Sequence, residues 1–391
     1  MEVIVGTYGQ HLLMLELGTA WFGVLRMYAY DAENTSCLAM SPDKRFLFAV
    51  SESSADSAVF SFEVFPYDRL KPLPEGRIAR RSEVRGISPD PCHLLYLPGY
   101  YNYCGDPDNG VLLTADYSGA SVSLYPVEGG RIQPPVQVVR FEGSGPVPRR
   151  QETSHIHHLL PCGDFLLAAD LGTDCIHVLR LFDSVVRPLC DTRLRREPRL
   201  ERVGAIPAPA GSGPRHLVCS ADGRFLYVIT ELSNEILVYS LQGFTADGAN
   251  RTDNVSVRME ETNEMAVLRQ RLSIGDPTFP TQAGGDIQLS PDGRHLYTSL
   301  RNGGDGLVIC EIQPDGTLLR CGFQPTGAHV RDFSFLPAGL PPGDHLLACC
   351  KNDRCIQIFR RNAADGSLTE VQKISFDSDY YGEPVFGLPY S

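Results

Sequence analysis

Four short segments of this chain carry residue types that could grip an anion or move a proton. The first is RQETSHIHHLLP, beginning at Arg150, in which His155 and His157 lie two apart and face one side if the segment is extended. Such imidazoles can act as a general base or hold a substrate, and structural hydrogen bonding is the plain alternative. Together with Glu152 they could suggest zinc, yet no third ligand at a definite spacing accompanies them, and no metal is expected. The second segment is GSGPRHL, Gly211 to Leu217, where two glycines and a proline bring Arg215 and His216 into a strand by a tight approach. Arg215 offers a planar fork of donors to a carboxylate or phosphate, whereas alternation puts His216 on the opposite side, where it could be purely structural. The third is TELSNE, in which Glu231 follows the apolar run FLYVIT, and the fourth is SLRNGGD, which sets Arg301 at the comparable place one unit later. An acid and an arginine at the ends of equivalent strands point to one shared opening, although an ordinary ion pair between turns would use the same residues.

Other chemistries leave no trace. There is no GxSxG elbow, P-loop, GxGxxG in a strand–helix unit or HExxH, which disfavours a covalent serine route, ATP use, a nicotinamide fingerprint and a zinc protease. No cofactor is called for, and what survives is acid–base chemistry with electrostatic stabilisation, or no chemistry at all.

The elements that must position these residues emerge from a repeat. An apolar strand, a small polar turn and an alternating strand recur with first strands starting near Val3, Phe46, Val111, Phe165, Phe225, His295 and His345. Turn cassettes precede several copies: SPDKRF at Ser41, SADGRF at Ser220 and SPDGRH at Ser290. Both registers of the strands are often apolar, so these strands are covered on both faces. A lone hairpin cannot bury both faces, but a four-stranded sheet stacked between similar sheets in a ring can. The expectation is an all-β, seven-bladed β-propeller of four-stranded antiparallel blades forming one domain over 1–391. The ring should be closed by N- and C-terminal strands, the latter placed around GSLTEVQKISFD. A β-sandwich with a second domain is the competing architecture, and it would not need one hairpin seven times. GYYNYCGDPDNG after Pro98, the run DTRLRREPRLERVG from Asp191 and the stretch from Gly243 to Thr262 read as surface insertions, the arginine-rich one as a solvated turn.

Bulk properties narrow the partners. Glycine 37 and proline 29 punctuate a chain that is 42% hydrophobic and 21% charged, a globular composition without long helical bundles. Thirty-five basic against forty-seven acidic residues leave a formal charge of -12, which argues against nucleic acid and anionic membrane as partners. Twelve cysteines without a CxxC pair, together with no apparent leader or spanning segment, lead to the expectation of a cytoplasmic protein with free thiols.

The motifs also carry a resemblance. VGTY, SPDKRF, DPCHL at Asp90 to Leu94, ADYSGASVSLYPV, HIHH, ADLGTDCIHV, GSGPRHL with SADGRFLYVITELSNEILVY, GGDIQLSPDGRHLY and the arginine of SLRN make the chain similar to the lactonase family of seven-bladed propellers. That family includes propeller-type 6-phosphogluconolactonases and a 3-carboxy-cis,cis-muconate lactonising enzyme. The resemblance implies a small anionic lactone as substrate, with His157 (His155 the close alternative), Glu231, Arg215 and Arg301 at the site and His93 and Asp286 supporting it. It further implies hydrolysis of 6-phospho-D-glucono-1,5-lactone in the oxidative pentose-phosphate pathway. Carboxymuconate cyclisation, a related lactonase acting on another acid, and a non-catalytic, protein-binding propeller are the alternatives. The family's Pro-His-x-His is Ser154-His155-Ile156-His157 here, and LPAGLPPGD replaces the seventh turn cassette.

Overall fold

The computed structural model describes residues 1–18, 22–65, 77–99, 108–186, 195–242, 266–337, 344–376 and 379–390. Every regular element assigned is a strand, and the strands form seven antiparallel sheets. Blade 1 orders its strands Glu383–Pro389, Glu2–Tyr8, His11–Leu17 and Val24–Asp31 from the axis outward. Blade 2 runs from Thr35–Met40 to Ile78–Arg85 and blade 3 from Pro91–Pro98 to the split edge Arg131–Ile132 and Gln137–Arg140. Blade 4 runs from Ile156–Cys162 to Arg195–Pro207 and blade 5 from Pro214–Cys219 to Ala266–Ser273. Blade 6 runs from Ala283–Leu289 to Leu318–Pro325 and blade 7 from Val330–Phe335 to Leu368–Ser375. Each innermost strand packs against the innermost strands of both neighbouring blades, which closes the ring around an axis.

The seven hairpins legible in the sequence are the second and third strands of each blade. They are the most buried elements: Phe46–Ser51, Gly110–Asp116, Phe165–Asp170 and His295–Arg301 are buried at every position. Their apolar side chains fill the seven inter-blade layers, so alternate residues face different neighbours. The turn cassettes link the first strand to the second. Ser290 Oγ donates to Asp292 (2.7 Å) and accepts the His295 amide (2.9 Å), and the same knot recurs at Ser41 and Ser220. The residue after each aspartate must turn left-handed; Gly223 and Gly293 do so without strain, whereas Lys44 accepts it at φ 60°.

Three sequence expectations are corrected. The closing strand is Glu383–Pro389, not the segment around GSLTEVQKISFD, which is the outer edge of blade 7 and pairs with Cys355–Arg361. In the first repeat the hairpin partner of Glu2–Tyr8 is His11–Leu17, and GVLRMYAYD is one strand further out. The arginine-rich run is no turn from Arg195 onward: it forms the edge strand of blade 4, whose backbone pairs with Cys175–Val186 and on which Arg199 and Arg202 are exposed. Residues 100–107, 191–194 and 243–262 of the supposed insertions lie outside the described residues. Among the described residues no helix is long and apolar enough to cross a membrane.

Closure through Val3–Pro389 and Ile4–Leu388 pairing makes the last strand a structural clasp. Deleting residues 383–391 is expected to strip the inner edge of blade 1 and replace one cooperative thermal transition by a broad one at lower temperature. A calorimetric scan with an unchanged transition would refute this role.

Candidate active site

Innermost strands begin, and second strands end, on one face of the ring, and the chemical residues collect there. All seven innermost strands carry a register irregularity near their start: Thr35/Cys37, Pro91/His93, Ile156/His158, Pro214/His216, Gly284/Ile287, Val330/Asp332 and Pro384/Phe386. A bulge sets two residues against one and re-aims the extra side chain. Ser36, Cys92, His157, Arg215, Arg331 and Val385 are the extra residues in six blades, and all six line one axial pocket. The bulge also cancels simple alternation, which is why His216 lines the same pocket as Arg215 instead of facing away.

Glu231 is the electrostatic centre. Its Oε2 accepts Arg215 Nε at 2.9 Å and Arg301 Nη2 at 2.9 Å, and its Oε1 accepts Arg150 Nη2. Burial alone would raise this carboxyl, but Arg301, Arg215 and Arg150 outweigh it and hold the group well below the usual carboxylate range. Arg215, 1% exposed, also donates to the Gly285 carbonyl (2.8 Å), and Arg301 to that of Gly284 (2.9 Å). Burial and the neighbouring Arg215 lower Arg301 to about 10, so it remains charged at neutral pH, with its Nε buried and unpartnered.

Local sequence explains this presentation. The Asp174 carboxylate accepts the amides of Gly211 (2.6 Å) and Gly213 (2.8 Å), pinning the glycine loop from which Arg215 departs. Gly213 sits at φ 63° and its carbonyl receives the Glu231 amide at 2.8 Å, so loop and acid are set together. At Gly285 a Cβ would lie 2.2 Å from Ser299 Oγ, which leaves only glycine beside Arg301.

His157 is buried, and its Nδ1 has no hydrogen-bond partner. Burial, then the Arg215, His216 and Arg331 charges, drive its pKa well below 6.5, keeping the ring neutral. His155 lies beside it across Tyr117, stacked on that ring at 4.3 Å while His157 meets it edge-on at 5.6 Å. His155 Nδ1 bonds the Tyr117 carbonyl (3.1 Å), so this histidine is the more committed to structure. His93 lines the pocket with His216, and Asp286 holds His216: His216 Nδ1 meets Asp286 Oδ1 at 2.7 Å, and the His93 ring lies 6.3 Å away. Sequence reasoning does not single out Arg150, Tyr117 or Arg331, and it weighs His158 only as the third histidine of its segment. Arg331 had a signal, since VRDFSF repeats the register of PRHLVC one strand before its hairpin.

Among the described residues one group has ligand atoms close enough for a metal: Asp170, Cys175 and His177. Asp170 is already filled by Ser154, Thr173 and His177 side chains and by the amides of His155, Gly172 and Thr173, which makes it a structural knot.

Removing the shared acid should expose its role. Glu231→Gln leaves three guanidinium groups without their counter-charge, and a loss of about 3 kcal/mol is expected at neutral pH. Because the folded pKa is depressed, the wild-type advantage is complete above about pH 4.3 and falls as the pH drops further. Denaturant titrations of both proteins at neutral and acid pH check the magnitude and the sign.

Comparisons with known proteins agree with this geometry. The chain is 28% identical to a 6-phosphogluconolactonase of Formosa agariphila over 352 residues, covering 86% of this chain and 84% of that protein. A 6-phosphogluconolactonase of Bacillus subtilis is 27% identical over 341 residues, covering 86% and 82%. The periplasmic gluconolactonase PpgL of Pseudomonas aeruginosa superposes with a TM-score of 0.73 at 25% identity, covering 98% of this chain and 97% of that one. The family model described as "Lactonase, 7-bladed beta-propeller" matches residues 2–380, and with the ring, the bulged inner strands and the arginine–glutamate cluster in place, the chain belongs to that family of lactonase enzymes.

Proposed function

We propose that this protein hydrolyses 6-phospho-D-glucono-1,5-lactone to 6-phosphogluconate. The observation that carries the reading is the juxtaposition, in one axial pocket, of a neutral His157 with an unsatisfied Nδ1 and the buried cation Arg215. Lactone hydrolysis needs a base for water and positive charge where the carbonyl oxygen becomes anionic. His157 takes a proton from water as the water oxygen bonds to the carbonyl carbon. Arg215 and Arg301 meet the developing oxyanion. The ring ester bond then breaks, and the imidazolium returns its proton to the departing ring oxygen.

Glu231 is suited to a different task from the base. Both of its oxygens are occupied and its basicity is suppressed, so it holds Arg215 and Arg301 side by side. Two guanidiniums on one carboxylate oxygen leave surplus positive charge, and an anionic transition state relieves it. The relatives named for this activity support the phosphorylated substrate, and with that substrate the enzyme acts in the oxidative pentose-phosphate pathway. The described cysteines are free thiols, which supports a cytoplasmic setting.

His157→Gln is expected to lower kcat by about a hundredfold or more while the fold is retained. Since the environment keeps His157 neutral well below pH 6.5, wild-type kcat/KM should stay level from about pH 8 to pH 6. A pH-stat assay corrected for spontaneous hydrolysis tests both, and a parental rate in the variant would remove His157 from the mechanism. Arg215→Ala should cost about 3 kcal/mol of transition-state stabilisation, roughly two orders of magnitude in rate.

A further inference from the structure

The mouth holds a cation that the cluster around Glu231 leaves unused. Arg331 is the bulged residue of blade 7, as Arg215 is of blade 5, and it lines the same pocket as Arg215 and His157. Its Nη2 donates to Glu52 Oε2 at 2.8 Å, and the Tyr8 hydroxyl donates to the same oxygen at 2.7 Å. The guanidinium lies 5.1 Å from the Tyr8 ring centroid, and the Lys351 ammonium lies 5.3 Å from that centroid. Lys351 is 3.4 Å from Glu383. Apart from Nη2, the Arg331 donors have no hydrogen bond among the described residues, although the side chain is only 14% exposed.

Charge arithmetic gives this arrangement a purpose. Arg150, Arg215, Arg301 and Arg331 stand against Glu231 and Glu52, with Asp332 in the pocket lining and Asp286 on His216 as two further acids, while Lys351 is balanced by Glu383. Burial raises Asp286 to about 6 and Asp332 well above the ordinary aspartate value, so the mouth keeps a net positive charge in a chain whose formal charge is -12. A lactone ring is neutral and gives this positive charge no partner, whereas a phosphate monoester, at about -1.5 to -2, does. Arg215 and Arg301 are tied to Glu231 and to backbone carbonyls, whereas Arg331 keeps much of its donor fork for a ligand.

We infer that Arg331, with Lys351 across the Tyr8 ring, forms a second anion subsite that takes a phosphate monoester at the far end of the substrate. The inference rests on the lactonase reading for its substrate and names the element that selects the phosphorylated form.

The test compares 6-phosphogluconolactone with gluconolactone in the wild type, Arg331→Gln, Arg331→Lys and Lys351→Gln. The ratio of kcat/KM values, phosphorylated over unphosphorylated, should fall about 20-fold or more in R331Q, mainly through KM. R331K should recover part of it, and K351Q should lower it several-fold. Equal losses on both lactones would give Arg331 a merely structural role and overturn the subsite. A wild type that does not distinguish the lactones would also overturn it, leaving the lactonase reading intact. If neither lactone is turned over, that reading fails and calorimetric titration decides the subsite alone. Tighter binding of 6-phosphogluconate than of gluconate, lost in R331Q, supports it, and equal or absent binding overturns it. Should the Arg331 variants fail to fold, K351Q decides: an unchanged preference overturns the proposal.

Discussion

Three arginines from different parts of the ring converge on the carboxylate of Glu231. Arg150 arrives from the connection into blade 4, Arg215 from the innermost strand of blade 5 and Arg301 from the end of a blade 6 strand. Such charges could not be buried singly, because each would lose its hydration without return. Gathered on one acid, they become a fixed positive field at the axis, and the glycine loop held by Asp174 and the close approach at Gly285 exist in the service of that gathering.

The propeller suits this arrangement because its seven innermost strands all start at one face. Bulges at these starts turn side chains toward the axis without disturbing the hairpins behind them. Stability and chemistry are thus divided along each blade. The second and third strands supply dry inter-blade packing, and the innermost strand can carry histidine, arginine and aspartate. The pocket wall reflects that freedom: His93, His157, His158 and His216 form one contiguous group of rings, with ring-centroid separations from 4.1 to 6.3 Å. Burial keeps these imidazoles neutral, so they add no charge that would compete with the arginines.

Much of this was legible before any coordinates. Hairpins such as FLYVITELSNEILVYSLQ announce themselves because both faces of their strands are apolar, and the SPDG cassettes mark where strands turn. Glu231 and Arg301 stood out as charged residues at the ends of matching strands. The innermost strands were harder to read. TSCLAM, PRHLVC and VRDFSF have mixed polarity, since they line an aqueous axis on one side, and their bulges break the period of two. Strict alternation therefore sends His216 to the wrong side and hides Arg331. The closing strand EPVFGLP was missed for a related reason: it is short, contains two prolines and is defined by a partner more than 370 residues away.

The amino-acid order by itself determined the number of blades, the all-β class and the chemical types available at the mouth, because these follow from local periodicity and repetition. Tertiary structure decided which charges meet. Four arginines with two glutamates can make many different fields, and only the ring closure sets Arg150, Arg215 and Arg301 on one carboxylate while Arg331 keeps donors open beside Tyr8. Electrostatic energy depends on separation and burial, and neither quantity is written in the order of residues.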